Sequence, residues 1–273
     1  MRIPLTRYGL PQVIIYPLAI LAAMVAYYVI AVRSFPEWAI GTPWAILTFW
    51  AVEMALLAVL AWSLSFFRDP HREVPRDDTL LLAPADGTIM DIETVEEKDF
   101  IGGPALRIGI FLSIFSTHIN RSPCDGRVEQ ITYHPGKFLN AMSPRAGKVN
   151  ESNDVFMVRT NGPRRADGGP ATEPSPVNPR PTAPNPQHDG DRLIVRQVSG
   201  AIARRIVCAA RAGQQLAAGE RFGMIKFGSR TELYVPASEE IQCAVRIGDK
   251  VKAGVSPLVR YGFRGRLHAK VQA

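Results

Sequence analysis

Cysteine and histidine are scarce in this chain, and neither is spaced for metal binding or cross-linking. The three cysteines, Cys124, Cys208 and Cys243, lie far apart with no C-x-x-C pair. An odd and scattered set argues against a disulfide framework and against a structural zinc site, and it favours a reducing compartment. The five histidines form no H-E-x-x-H or zinc-finger pattern. The sequence therefore predicts no metal site.

Negative charge is in the minority. The 273 residues include 32 lysines and arginines against 25 acidic residues, which gives a formal net charge of +7. A basic balance suits an anionic partner, either nucleic acid or an anionic membrane surface. A solvated basic face is the simpler alternative, and charge alone favours it.

Two long runs near the N-terminus lack charge almost entirely. Val13–Val32 has no charged residue, and Pro43–Phe67 has only Glu53. A helix needs roughly 20 apolar residues to cross a bilayer core, so both runs qualify. The short segment between them contains proline and glycine, which predicts a helical hairpin. The length of the first run and the lack of a small-residue cleavage site after it argue against a signal peptide.

The basic residues around the hairpin predict its orientation. Five arginines flank its two ends, whereas the loop holds only Arg33 and Glu37. By the positive-inside tendency both ends face the cytoplasm. We expect residues 1–78 to anchor the chain in the inner membrane with two transmembrane helices. Residues 79–273 are then expected to form a second domain on the cytoplasmic side.

Beyond residue 79 the hydrophobic pattern changes to short runs rich in isoleucine and valine, separated by glycine, proline and aspartate. Many such runs with turn signals predict a β-rich body. The predicted strands are Thr88–Ile89, Leu106–Leu112, Val128–Tyr133, Val155–Arg159, Leu193–Gln197, Ile202–Ala209, Phe222–Phe227, Thr231–Val235 and Ile241–Val245.

One segment of this body lacks aromatic residues and is crowded with proline. Residues 162–190 contain eight prolines and a single valine. Such a segment buries too little surface to offset its ordering entropy, which predicts a disordered insertion. The flanking strands, Asp154–Thr160 and Asp191–Val198, are expected to pair as a hairpin. The insertion would lie at its tip, where added length costs little free energy.

A weak glycine repeat indicates the architecture. Gly213–Gly219 and Gly248–Gly254 each predict a turn, a short strand and a second turn, followed by another strand. The pattern G-x-x-V-x-A-G resembles the turns of biotinyl and lipoyl carrier domains, which are flattened β-barrels. A carrier presents a modifiable lysine in a tripeptide such as MKM or DKA. Neither tripeptide occurs here, so the resemblance is architectural.

Three polar blocks carry the candidate chemistry. Taken alone, each has an ordinary structural explanation. Asp86 fits a β-turn, His118 fits a structural hydrogen bond, and Gly228-Ser229 fits a bend between strands. Their combination in one chain is more specific. The blocks are PADGTI at 84–89, FLSIFSTHINRSPCDG at 111–126 and KFGSRT at 226–231.

With YHPGKF at 133–138 and NESN at 150–153, these blocks make the chain similar to phosphatidylserine decarboxylases of the short bacterial type. The resemblance covers residues 68–260 and the hairpin, and FGSR is its most specific part. It implies decarboxylation of phosphatidylserine to phosphatidylethanolamine at the membrane. The expected partner is therefore phosphatidylserine in the bilayer rather than nucleic acid.

The resemblance also implies a pyruvoyl cofactor made from the chain's own serine. The Ser229 hydroxyl attacks the Gly228 carbonyl, β-elimination releases the upstream chain, and hydrolysis of the dehydroalanine leaves pyruvoyl. Glycine permits an unusual backbone geometry at 228, and serine needs a base to act as a nucleophile. The substrate amine then forms a Schiff base with the pyruvoyl ketone. The two chains stay together as a heterodimer, and a higher oligomer is left open.

The family implies roles for three further residues. Asp86 belongs to an Asp-His-Ser relay for self-cleavage. Longer members carry two histidines spaced H-x-x-H; the first aligns with His118, which is expected to assist decarboxylation, and the second aligns with Arg121. Arginine stays protonated at neutral pH and is no base, but it suits bidentate binding of the substrate carboxylate or phosphate. The base for self-cleavage stays open.

Two other interpretations stay open at this point. The glycine repeat allows a membrane-tethered, non-catalytic carrier or adaptor with a lipoyl-like barrel, which would be indifferent to the loss of Ser229. A decarboxylase of a related serine lipid is the other alternative, because lipid tails leave no trace in the sequence.

Overall fold

Two long helices, one short α-helix, a 3₁₀ turn at Arg7–Gly9 and fourteen strands form the described part of the chain. The computed structural model describes residues 5–34, 42–143, 145–160, 190–201, 205–226 and 228–262. The chain divides into two units, Met1–His71 and Arg72–Ala273. The predicted domain boundary at residue 78 stays a prediction. The predicted insertion lies outside the described residues except for Gly190.

The first unit contains the two long helices, α1 (Gln12–Ser34) and α2 (Pro43–Phe66). Proline suits the first turn of α2, because its fixed φ is helical and its missing N–H has no intrahelical role there. The rings of Tyr27 and Phe49 stack with their centroids 5.6 Å apart. The helices therefore pack side by side. Both are long and apolar enough to cross a membrane.

The chain enters and leaves this helix pair at the same end. Leu5 and Arg68 form an antiparallel β-bridge, and the Thr6 N–H donates to the Phe67 carbonyl at 2.9 Å. This confirms the predicted hairpin. The turn between the helices lies outside the described residues.

The second unit is built from short strands, with the one-turn helix α3 (Ala146–Val149) between β5 and β6. Every predicted strand overlaps an observed one. In chain order the strands are β1 Leu80–Leu82, β2 Gly87–Glu97, β3 Gly103–Leu112, β4 Ile119–Arg121, β5 Gly126–His134, β6 Ser152–Arg159, β7 Arg192–Val198, β8 Ile206–Cys208, β9 Gln215–Leu216, β10 Arg221–Ile225, β11 Ser229–Pro236, β12 Ile241–Cys243, β13 Lys250–Val251 and β14 Pro257–Tyr261.

Eight of these strands form one curled antiparallel sheet in the order β13-β2-β3-β11-β7-β6-β5-β9. Two three-stranded sheets, β1-β14-β12 and β4-β10-β8, complete the unit. Alternate side chains of a strand point to one face. The resulting core contains buried side chains from all three sheets, among them Ile108, Leu233, Leu258 and Phe222. This confirms the β-rich, barrel-like body.

The predicted hairpin around the insertion is also present. β6 and β7 pair antiparallel from Ser152 opposite Val198 to Val158 opposite Arg192. The insertion therefore begins and ends beside paired strands.

The two glycine repeats form the two edges of the eight-stranded sheet. β9 lies within Gly213–Gly219 and β13 within Gly248–Gly254, and these are the outermost strands. The four terminal glycines have φ between 69° and 95°, a region that favours glycine. This confirms the predicted succession of turn, short strand and turn.

An aspartate caps each repeat in the same way. The Asp86 carboxylate accepts from the Ala253 N–H at 2.8 Å, and the Asp125 carboxylate accepts from the Ala218 N–H at 2.6 Å. Asp86 directly precedes β2, as Asp125 directly precedes β5. PADG and PCDG are therefore equivalent blocks in two similar halves of the barrel.

Candidate active site

Gly228 and Ser229 lie where the chain passes from β10 to β11. Ser229 is the first residue of β11 and pairs with Leu112, the last residue of β3. From Arg230 onward, β11 pairs with β7 as well. Gly228 has a φ of +63°, which glycine adopts without strain. The dipeptide thus joins a bend to a strand that has neighbours on both sides.

The imidazole of His118 is buried and faces this dipeptide. Its Nδ1 lies 2.9 Å from the Ser116 carbonyl oxygen, and its Nε2 lies 3.3 Å from the Gly228 nitrogen. A carbonyl oxygen only accepts, so Nδ1 carries the proton and Nε2 accepts from the Gly228 N–H. The basic ring nitrogen is therefore the one beside Gly228.

The Ser229 side chain is fully buried, and its hydroxyl has no hydrogen-bond partner among the described residues. A buried hydroxyl without a partner costs about 1–3 kcal/mol. Such groups are rare enough in folded proteins to need an explanation. A hydroxyl that no structural bond occupies is available as a nucleophile.

A chain of buried amides holds β4, and with it His118, against the large sheet. Asn120 Nδ2 donates to Thr231 Oγ1 at 3.1 Å, and Gln197 Nε2 donates to Asn120 Oδ1 at 2.8 Å. Asn153 Nδ2 donates to Gln197 Oε1 at 3.0 Å. A satisfied polar network of this kind fixes the relative position of the strands that it joins.

Gly200 lies directly against the carbonyl group of Gly228. A Cβ placed at position 200 would overlap the Gly228 oxygen and would lie 3.4 Å from the Ala141 Cβ. The backbone of Gly200 is outside the positive-φ region. Space, rather than backbone conformation, therefore requires glycine at this position.

Arg230 anchors β11 immediately after the dipeptide. Its Nε donates to Glu232 at 2.6 Å and its Nη2 donates to Asp91 at 2.7 Å. Gly109 leaves room for the guanidinium, which a Cβ there would overlap. Burial raises the pKa of Glu232. The charge of Arg230, the hydrogen bond from Tyr234 and the charge of Arg107 together outweigh burial and hold that pKa below its usual value. The start of β11 is thus fixed by ion pairs as well as by strand pairing.

Two cations, Lys226 and Arg205, lie close to each other where the chain approaches the dipeptide. Lys226 is 4% exposed, and its backbone N–H donates to the backbone carbonyl of Arg205 at 3.2 Å. Burial lowers the pKa of Lys226, and the charge of Arg205 lowers it further. Arg205 itself is exposed. The positive potential here suits an anionic ligand.

Asp86 and Arg121 contact the turn at 253–254. The Asp86 carboxylate accepts from the Ala253 N–H and lies 2.6 Å from Nη2 of Arg72. Arg121 is 5% exposed; its Nη1 donates to the Gly219 carbonyl at 3.0 Å, and its Cδ would lie 3.1 Å from a Cβ at position 254.

The four predicted side chains therefore fall into two groups. His118 contacts Gly228, the residue before Ser229, whereas Asp86 and Arg121 both contact the turn at 253–254. Asp86 precedes β2, and the register places β3 between β2 and Ser229, because Thr88 pairs with Phe111 and Ser229 pairs with Leu112. The described residues contain no cluster of three or more potential metal ligands.

Comparison with known proteins gives a consistent result. The sequence profile of the phosphatidylserine decarboxylase family matches residues 59–258. The phosphatidylserine decarboxylase proenzyme of Symbiobacterium thermophilum is 40% identical over 79% of this chain and 86% of its own length. Proteins of the same name from Rhodopirellula baltica and Ralstonia nicotianae are 37% and 39% identical, over 95% and 77% of this chain and 89% and 82% of theirs. The chain therefore belongs to the phosphatidylserine decarboxylase family.

Proposed function

We propose that this chain cuts itself between Gly228 and Ser229 and then decarboxylates phosphatidylserine to phosphatidylethanolamine. The observation that carries the proposal is the buried Ser229 hydroxyl, unpaired among the described residues, next to a glycine whose N–H contacts His118 Nε2 at 3.3 Å. The relatives are named proenzymes, which is consistent with maturation by cleavage.

The self-cleavage step needs only atoms of the chain and one water molecule. Ser229 Oγ adds to the Gly228 carbonyl carbon while its proton passes to a base, and the C–N bond between the two residues breaks to give an ester and a free amine. Removal of the α-proton at 229 then breaks the Cβ–Oγ bond and releases Gly228 as a carboxylate. Water replaces the nitrogen of the resulting dehydroalanine, ammonia leaves, and a pyruvoyl group remains.

His118 is proposed to move protons at the new terminus. Its Nε2 is unprotonated in the tautomer that Ser116 selects, so it can accept a proton beside position 228. When formed, the pyruvoyl group supplies the electron sink for loss of CO₂. We assign to His118 the proton that then replaces CO₂ on the substrate carbon.

The two cleavage products are proposed to stay together as a heterodimer. β11 pairs with β3 along its whole length and with β7 from Arg230 to Tyr234. The ion pairs of Arg230 with Asp91 and Glu232 are unaffected by a cut before Ser229. The smaller product can therefore leave the sheet only if the pairing of β11 with both β3 and β7 is broken.

Lys226 and Arg205 are proposed to attract the phosphate and carboxylate of the substrate. Arg121 is held by the Gly219 carbonyl, and its role in substrate binding stays a prediction. The two apolar helices are proposed to anchor the chain in the inner membrane with the second unit on the cytoplasmic side.

A reconstitution experiment tests the proposal. The full-length chain in vesicles of phosphatidylserine is expected to release CO₂ and to form phosphatidylethanolamine. Mass spectrometry should find two chains, 1–228 and 229–273, the smaller one lighter than its encoded sequence by one ammonia molecule. Treatment with cyanoborohydride and an amine should abolish activity.

A single intact chain that releases no CO₂ would contradict the proposal and favour the non-catalytic carrier. Vesicles of other serine lipids serve as the comparison for substrate identity. If one of those lipids is decarboxylated faster than phosphatidylserine, that lipid becomes the assigned substrate.

The repeat supplies a matched control for the predicted relay role of Asp86. Asp86→Asn keeps an oxygen for the Ala253 N–H but removes the charge that Arg72 pairs at 2.6 Å. A relay needs the carboxylate charge, so we expect self-cleavage to slow by roughly tenfold or more.

Asp125→Asn makes the same change at the equivalent turn and is expected to leave the cleavage rate unchanged. Gel analysis of freshly synthesised protein over time measures both rates. Equal slowing in the two variants would restrict Asp86 to capping its turn.

A further inference from the structure

The exposed apolar side chains of the second unit are concentrated beside Gly228-Ser229. The described residues of the second unit include eight large hydrophobic side chains that are at least 36% exposed. Six of these lie in the segments 114–115 and 138–149. Concentrated exposure of this kind marks an interaction surface, whereas scattered exposed side chains do not. We call five of these side chains the apolar rim: Ile114, Phe115, Phe138, Leu139 and Met142.

The first segment of the rim is a tight turn between β3 and β4. The Ser116 N–H donates to the Ser113 carbonyl at 2.9 Å, and the Phe115 N–H donates to Ser113 Oγ at 3.3 Å. Phe115 is 70% exposed at the tip of this turn. Ile114 Cγ2 would lie 3.9 Å from a Cβ at Gly228. The turn therefore adjoins the site and holds Phe115 out of the core.

The second segment of the rim is fixed by one buried amide. Asn150 Oδ1 accepts from the Leu139 N–H at 2.9 Å, and Asn150 Nδ2 donates to the carbonyls of Leu139 and Ser199 at 2.8 Å each. Ala141 in this segment contacts the position of a Cβ at Gly200, which itself abuts the Gly228 oxygen. The second segment therefore reaches the same dipeptide from the side of Gly200.

The chemistry of a phospholipid substrate gives such a rim a purpose. The reacting amine and carboxylate of the lipid are joined to its acyl chains through a short phosphoglycerol headgroup. When the acyl chains stay in the bilayer, a buried reacting centre can receive these groups only if the protein surface around it touches the bilayer. Apolar side chains enter the boundary between headgroups and acyl chains, and an exposed cation such as Arg205 attracts anionic lipid.

We propose that the apolar rim inserts into the interface of an anionic bilayer and seats the mouth of the site on the membrane. This contact is additional to the anchoring helices. The inference rests on the proposed function, since it assumes that the substrate is a membrane lipid.

The experiment compares two forms of the substrate with the full-length, reconstituted chain. Phe115→Ser with Met142→Ser is expected to lower the decarboxylation rate of phosphatidylserine in vesicles by about tenfold or more, because two apolar contacts with the bilayer are lost. Its self-cleavage and its rate with a short-chain, monomeric phosphatidylserine should equal those of the wild type. Phe115→Leu with Met142→Leu keeps the rim apolar and should retain the vesicle rate.

Ile247→Ser is the matched control, because Ile247 is 66% exposed but lies in the turn before the edge strand β13. It should retain the vesicle rate. An unchanged vesicle rate in the serine double variant would overturn the inference, as would equal losses with vesicles and with monomeric lipid. A wild-type chain that decarboxylates neither substrate would instead contradict the proposed function.

Discussion

Alanine at position 229 is expected to leave one uncut chain of 30.0 kDa that releases no CO₂ from phosphatidylserine. The proposed cleavage has a single nucleophile, the Ser229 hydroxyl, and the same side chain provides the carbon atoms of the pyruvoyl group. Removing the hydroxyl therefore removes both the reaction and its product. The fold should survive, because this hydroxyl has no hydrogen-bond partner among the described residues. Alanine should even remove the free-energy cost of burying a hydroxyl without a hydrogen bond.

Ser199→Ala is the matched control for this variant. The Ser199 hydroxyl is also fully buried and also lacks a hydrogen-bond partner within the described part of the chain. It precedes Gly200 rather than following a glycine. Ser199→Ala is therefore expected to cleave and to decarboxylate at the wild-type rate. Mass spectrometry of the two purified variants decides between them, and a cut Ser229→Ala chain would refute the assignment of the nucleophile.

Local patterns predicted most of the second unit because alternation and turn residues are properties of short stretches. Each of the nine predicted strands overlaps an observed one. The strands β1 and β4 were not predicted, and the reason is visible in their burial. All three residues of each are buried, so the alternation of apolar and polar residues that identifies a strand is missing.

The role of Asp86 shows the limit of a motif. PADG indicated a relay role for Asp86 only through the family resemblance. PCDG has the same P-x-D-G pattern, and the aspartates of both blocks accept from an alanine N–H in equivalent turns. The ion pair with Arg72 is an additional contact of Asp86 that a motif does not contain. The Asp86 carboxylate thus bonds a distant turn, and not its own backbone as the β-turn interpretation expected. The relay role remains a prediction that the Asp125 comparison can test.

Gly200 was not recognised from the sequence, because its importance depends on a pairing between distant strands. Arg230 lies opposite Val198 in the register of β11 and β7, which places position 200 across from Gly228. The pairing of β6 with β7 could be predicted from the insertion that they flank. No local signal joins β7 to β11, since the choice of neighbour is decided by the fold of the whole sheet.

Alanine at position 200 is expected to slow self-cleavage by roughly 100-fold, since even a displacement of about 1 Å at a reacting group can have an effect of this size. Its Cβ would overlap the Gly228 oxygen, so the carbonyl that Ser229 must attack would have to move. The backbone at 200 needs no positive φ, which makes the change mild everywhere except at that contact. A gel time course of freshly synthesised chain measures the rate.

Gly126→Ala separates this effect from general crowding. A Cβ at position 126 would also meet a carbonyl oxygen, that of Val158, at 3.0 Å. Gly126 is the glycine of PCDG and the first residue of β5. We expect Gly126→Ala to lower the thermal unfolding temperature while self-cleavage goes to completion. Gly200→Ala should stay folded and largely uncut, and cleavage at the wild-type rate would show that the Gly228 carbonyl tolerates a neighbour there.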